Sequence, residues 1–205
     1  MSAINLQPFC ARKSQIRPKM NQPWNIGEFT YATDGRIMVR VPACPEFASN
    51  PPMTDEKTIA EIWGVWSPTQ AFQALTGLII PTTKTQKCEE CNGLGRFCDC
   101  PDCGGNGDKY CRTCDHVSAC NRCRGQGKVA EIAGVALKTC EDCDGVGTYK
   151  VGSPTRVGNK NINSLYLELI AGLPGIEIAP EATGELEPLH FKFESGAGLI
   201  MPMRV

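Results

Sequence analysis

Cys88-Glu89-Glu90-Cys91-Asn92-Gly93-Leu94-Gly95 is the first of four near-copies of one eight-residue phrase. The others are Cys100-Pro101-Asp102-Cys103-Gly104-Gly105-Asn106-Gly107, Cys120-Asn121-Arg122-Cys123-Arg124-Gly125-Gln126-Gly127 and Cys140-Glu141-Asp142-Cys143-Asp144-Gly145-Val146-Gly147. Two thiolates three residues apart can chelate one tetrahedral ion from a single turn, and two such turns complete its shell. The glycines that follow can take positive φ, which lets the chain fold back around the metal. One Cys-x-x-Cys is a weak signal; four with the same glycine tail point strongly to zinc.

Around this block the chain is ordinary. Of 205 residues, 41% are hydrophobic and the formal net charge is −1, which suits a folded core and argues against a dedicated polybasic DNA binder. Residues 1–87 carry nine bases and six acids, net +3; residues 88–143 carry seven and nine, net −2; residues 144–205 carry five and seven, net −2. Each four-thiolate zinc site adds a further −2, so the cysteine block is acidic. Attraction to phosphate must then come from the N-terminal part, where Arg12, Lys13, Arg17 and Lys19 form the one candidate nucleic-acid patch, although a cluster of four is more often a solvated face. No apolar run has the ~20 residues needed to span a bilayer. No signal-peptide core opens the sequence, so metal-bound thiolates in a reducing cytoplasm are expected rather than disulfides.

Eleven of the 13 cysteines lie in residues 88–143. A fifth pair, Cys111/Cys114, is followed by Asp115 and His116 instead of glycines, and Cys98 precedes the second repeat. Cys98, Cys111, Cys114 and His116 supply either a third, Cys3His zinc site or spare thiols. Only His116 and His190 could serve as histidine bases, and His190 sits in an alternating strand as a structural residue. Four-cysteine sites lack the open position that activates water, so the zinc is expected to be structural and the chain non-enzymatic.

The cysteine block resembles the cysteine-rich domain of DnaJ-type chaperones, over residues 88–147 only. That resemblance implies that the outer repeats share one ion (Cys88, Cys91, Cys140, Cys143) and the inner repeats the other (Cys100, Cys103, Cys120, Cys123). The chain has no His-Pro-Asp tripeptide, so the co-chaperone activity of that family does not carry over.

The flanks read as one α+β domain, residues 1–81 and 151–205, interrupted by a zinc-stabilised, irregular β-hairpin insertion at 82–150. Residues 28–34 and 36–41 alternate around Asp34-Gly35, a tight-turn signal. Ile59, Ile62, Trp63 and Trp66 fit one helix face. Ser67-Pro68-Thr69-Gln70 matches a capping box for a second helix through Ala71, Phe72 and Leu75 to Gly77. A short strand at 78–81 and a hairpin arm at 128–139 are expected next. Asn163 caps a helix through Tyr166, Leu169 and Ile170, and strands follow at 176–179, 189–194 and 199–204.

Helices and antiparallel strands in each flank are similar to the domains of bacterial sliding DNA clamps. The segment 29–36 looks like the Ala-Thr-Asp-Gly segment of those clamps, and the ending Met201-Pro202-Met203-Arg204 is similar to theirs. In that family the two segments line an apolar pocket that grips client peptides. The resemblance implies partner-binding roles for Thr33, Gly35, Arg36, Met38, Met201, Pro202, Met203 and Arg204. The family's two segments come from different domains, so a pocket here is expected between neighbouring chains of a homo-oligomer, or in altered form. The expected function is a zinc-binding protein-interaction module, an accessory or inhibitor of phage or mobile-element type acting on a replication or host-defence protein. The alternative is nucleic-acid binding through the basic N-terminal region or the zinc repeats.

Overall fold

The computed structural model describes residues 4–12, 18–64, 71–111, 113–180 and 184–204. The N-terminal flank supplies β1 (Trp24–Ile26), β2 (Phe29–Thr33), β3 (Ile37–Pro42), α1 (Glu56–Trp63) and β4 (Gln73–Ala74). The cysteine-rich stretch supplies β5 (Lys84–Lys87), β6 (Arg96–Asp99), β7 (Asp108–Tyr110), β8 (Val117–Ala119), β9 (Lys128–Val129), β10 (Lys138–Thr139) and β11 (Thr148–Val151). β12 (Pro154–Val157), β13 (Lys160–Asn163), α2 (Ser164–Ala171), β14 (Glu177–Ala179), β15 (Leu189–Phe193) and β16 (Gly196–Ile200) follow. Mostly antiparallel sheets with two α-helices make the class α+β or mainly β. The chain divides into two compact units, one of Met1–Lys84 with Val151–Val205, the other of Thr85–Lys150. No helix among the described residues is long and apolar enough to cross a membrane.

The first unit is built on a seven-stranded sheet in the order β1-β2-β3-β16-β15-β14-β4. Asp34 shapes the β2–β3 turn, its Oδ1 accepting from Arg36 N at 2.8 Å and Ile37 N at 3.0 Å. From that turn the strands alternate as a two-faced sheet should. Ala32, Ile37, Val39, Val41, Leu189, Phe191 and Ile200 pack with Leu167 and Ile170 of α2. Tyr31, Met38, Ala197 and Leu199 pack on the other side with Ile59 and Trp63 of α1. Gly198 lies opposite Phe191 in the β15–β16 register. A Cβ there would come within 1.9 Å of the Phe191 ring, so the ring occupies the space that a side chain would take. Arg40 lays its guanidinium 3.9 Å from the Trp63 ring centroid and 4.7 Å from that of Phe29, a cation–π bridge between α1 and β2.

Both helices are capped as their sequences suggest. Asp55 accepts from Thr58 N at the start of α1, and Asn163 accepts from Leu165 N at 2.9 Å at the start of α2. The β12–β13 hairpin buries Lys160 completely, with its Nζ donating to the Gly184 carbonyl. His190 on β15 is also fully buried. Burial, helped by the nearby Lys160 cation, holds its pKa below the usual range.

The second unit has almost no hydrocarbon core. One cluster joins Cys88, Cys91, Cys140 and Cys143 to Phe97, with Leu94 and Tyr149 against it. The other holds Cys100, Cys120 and Cys123, with Cys103 and Val129. β5 and β11 pair where the segment begins and ends, β7 and β8 form a hairpin, and β6 lies between β10 and β9.

Several expectations are corrected. Gln73–Ala74 is a strand on β14, not part of a helix running to Gly77; long-range pairing prevails over local propensity. Its proposed capping box at 67–70, and Trp66, lie outside the described residues. Residues 78–81 form no strand. The 128–139 arm is not a hairpin, because β9 and β10 each pair with β6 instead of with each other. The last strand runs from Gly196 to Ile200, earlier at both ends than the expected 199–204, because Gly196–Gly198 pair with Phe191–Phe193 of β15.

Candidate metal centres

Each Cys-x-x-Cys turn presents two sulfurs from one bend. After the second cysteine the backbone turns through positive φ, at Asn92 (50°), Gly104 (61°), Arg124 (52°) and Asp144 (50°), and enters the glycine tail. The second glycine of every tail donates its amide to the second sulfur of its own turn: Gly95 to Cys91 at 3.2 Å, Gly107 to Cys103 at 3.3 Å, Gly127 to Cys123 at 3.2 Å, Gly147 to Cys143 at 3.1 Å.

The turns then pair by a reciprocal rule. Cys88 N donates to Gly147 O at 2.9 Å while Cys140 N donates to Gly95 O at 2.8 Å. Cys100 N donates to Gly127 O and Cys120 N to Gly107 O, both at 2.7 Å. The backbones approach so closely that a Cβ on Gly95 would lie 2.2 Å from Gly145 O, and one on Gly127 would lie 2.0 Å from Gly105 O. The Gly-x-Gly tail is therefore the contact surface between two turns.

This pairing makes two four-sulfur groups, Cys88/Cys91/Cys140/Cys143 and Cys100/Cys103/Cys120/Cys123, each with all sulfurs within 4.8 Å of one another. Cross-turn sulfur separations are 3.8 Å (Cys88–Cys140), 3.7 Å (Cys91–Cys143), 3.9 Å (Cys100–Cys120) and 3.7 Å (Cys103–Cys123). A tetrahedral zinc with bonds of about 2.3 Å to sulfur has edges of about 3.8 Å, so both groups fit two zinc ions. All eight sulfur-bearing residues are buried except the half-buried Cys103. Salt bridges from Asp102 to Lys109 (3.3 Å) and Arg122 (3.2 Å) brace the two turns of the inner group from outside.

The local field prepares one thiol in each group for ionisation. Burial works against charge on Cys91, but donation from the Gly95 amide and from neighbouring thiols outweighs it and brings the group down to about 7. Cys123 reaches about 7 by the same balance through Gly127. At Cys100 and Cys140 burial prevails, and the thiols are pushed up to about 11 and about 12. A bound cation would supply the missing charge compensation for those two.

Of the two alternatives for the leftover cysteines, the third site does not assemble. Among the described residues only the two groups above gather three or more ligand atoms. Cys98 is 2% exposed in β6, its Sγ directed to Val129 O at 3.8 Å, whereas Cys111, Cys114 and His116 are exposed beyond the β7–β8 hairpin. Counting ligands ignores that a strand pairing holds Cys98 inward beside Phe97. Outside the cysteine-rich unit, Cys10 is buried and Cys44 half-buried.

The 33–38 segment and the chain from Leu199 to Met201 lie side by side. Met38 faces Leu199 across the β3–β16 pair, and Met201 N donates to Arg36 O at 2.7 Å. Thr33 is spent on the turn, with its Oγ1 donating to Ile37 O at 2.5 Å and accepting from Gly35 N at 3.0 Å. Met38 is buried at 8%, Met201 is 46% exposed, Pro202 and Met203 are half-buried, and Gly35, Arg36 and Arg204 are exposed. Of the basic cluster, Arg12 and Lys19 are exposed, while Lys13 and Arg17 lie outside the described residues.

Comparison of the chain with protein-family models, with curated proteins and with solved structures finds no match.

Proposed function

We propose that this chain is a non-enzymatic interaction module in which two structural zinc ions stiffen a cysteine-rich unit for recognition of another protein. The observation that carries this reading is the pair of four-sulfur groups, each supplying a full tetrahedral shell from side chains. A closed shell leaves no coordination position for water or substrate, so zinc there contributes folding energy rather than Lewis acidity. The finer reading is a DnaJ-like zinc domain carried on a clamp-like domain, acting as an accessory or inhibitor of a replication or defence protein. It is supported by the four glycine-tailed repeats and by the adjacency of the 33–38 and 199–204 segments in one sheet.

The test is affinity capture from a bacterial lysate with the zinc-loaded chain and with C88S/C140S. A stoichiometric protein held by the first and not the second is expected; equal, nonspecific recovery contradicts the proposal. A mobility shift on nucleic acid that weakens steeply with salt would transfer the function to phosphate binding.

A further inference from the structure

The fifth Cys-x-x-Cys, Cys111-Arg112-Thr113-Cys114, takes no part in either four-sulfur group. The residue that follows its second cysteine nevertheless matches the paired turns. Asp115, directly after the second cysteine, has φ +55°, within the +50° to +61° range of the four equivalent positions in the paired turns.

What differs is the tail. The positions that hold Gly93 and Gly95 in the first repeat are His116 and Ser118 here. Cβ atoms at the glycine positions of the paired turns would fall 2.0–2.4 Å from the facing carbonyl at Gly95, Gly107, Gly127 and Gly147. Side-by-side pairing is thus closed to the fifth turn. Its chain instead returns as β8, with Cys111 N donating to His116 O at 2.9 Å. Both cysteines are left exposed at the end of a two-stranded hairpin. Tyr110 and Val117, opposite each other at its last pair, are 60% and 55% exposed.

We propose that Cys111 and Cys114 form half of a third zinc site, completed by the same two cysteines of a second copy of this chain meeting it tip to tip. Two thiolates leave a tetrahedral zinc two ligands short. Within this unit the remaining cysteine, Cys98, is buried in β6 and committed to Val129. An identical turn related by a twofold axis supplies the missing pair, and an isologous contact of this kind closes without further growth. The same approach covers the exposed Tyr110 and Val117 of both hairpins. The contact needs no other protein, so it stands or falls apart from the partner recognition proposed above.

Native mass spectrometry of the full reduced chain with added Zn2+ tests this, alongside C111S/C114S. The expected wild-type species is a dimer with five zinc ions, and mild chelation returns it to monomers with two ions each. C111S/C114S alters only exposed positions and should remain a monomer with two ions. Three ions on a monomer, a monomer with two ions in excess Zn2+, or a dimer that persists in the double variant would each overturn the proposal.

Discussion

Tyr166 on α2 donates its hydroxyl to Asp34 Oδ2 at 2.7 Å, across 132 positions of sequence. The bond joins the helix of one flank to the β2–β3 turn of the other, and with the β3–β16 pairing it makes the two flanks a single folded unit. Burial and the Asp34 carboxylate together hold the phenol protonated well above its ordinary range. Tyr166→Phe removes the donor and leaves Asp34 Oδ1 on the turn amides. A loss of about 1 kcal/mol is expected by denaturant titration, as for an ordinary hydrogen bond. An unchanged midpoint would show that the flanks are held without it.

Gly127→Ala tests the pairing rule of the cysteine turns. The added Cβ would meet Gly105 O at 2.0 Å, on a residue whose φ is +70°. Backbone overlap of that kind has no flexible neighbour to absorb it, and the cost is on the order of 2–4 kcal/mol. The inner ion should be lost while Cys88, Cys91, Cys140 and Cys143 keep theirs. Gly172→Ala, at the end of α2 with 3.7 Å to its nearest neighbour, is the control and should leave zinc content unchanged. Full zinc occupancy in Gly127→Ala would contradict the tight approach.

Acid should strip the zinc. Each group must bind the ion as thiolates, so protons compete with metal and affinity rises with pH. Two of the eight sulfurs sit near 7 and two near 11 and 12 without metal, so the loaded protein holds several thiolates that would otherwise be protonated at neutral pH. Zinc release followed with a colorimetric chelator is expected to rise steadily as pH falls below neutrality, with the cysteine-rich unit unfolding in step. Release that is independent of pH would argue against thiolate ligation.

Cys98→Ala separates a packed thiol from a ligand. Its Sγ is directed to the Val129 carbonyl on the neighbouring β9 and joins neither four-sulfur group, so the variant should retain the zinc content of the wild type. A loss of one equivalent would restore Cys98 to a metal shell.

The zinc centres were legible because their chemistry is local: spacing within a turn and a glycine tail suffice to mark them. The β2–β3 turn and α2 were legible for the same reason, through Asp34-Gly35 and the Asn163 cap. What escaped was non-local. Gln73–Ala74 becomes a strand only because β14, about a hundred residues later, offers an edge. β9 and β10 look like partners in sequence, yet β6 lies between them. Cys98 counts as a ligand by spacing, but in β6 its sulfur is directed to Val129 O and gathers with none of the other three candidates.

Hydrogen–deuterium exchange, read peptide by peptide on the full chain before and after a strong chelator, bears most directly on the zinc-built unit. Sulfur supplies most of the packed interior of residues 85–150, so removing metal should collapse amide protection there while the seven-stranded sheet keeps its own. Protection over residues 85–150 that survives complete removal of zinc would contradict the account.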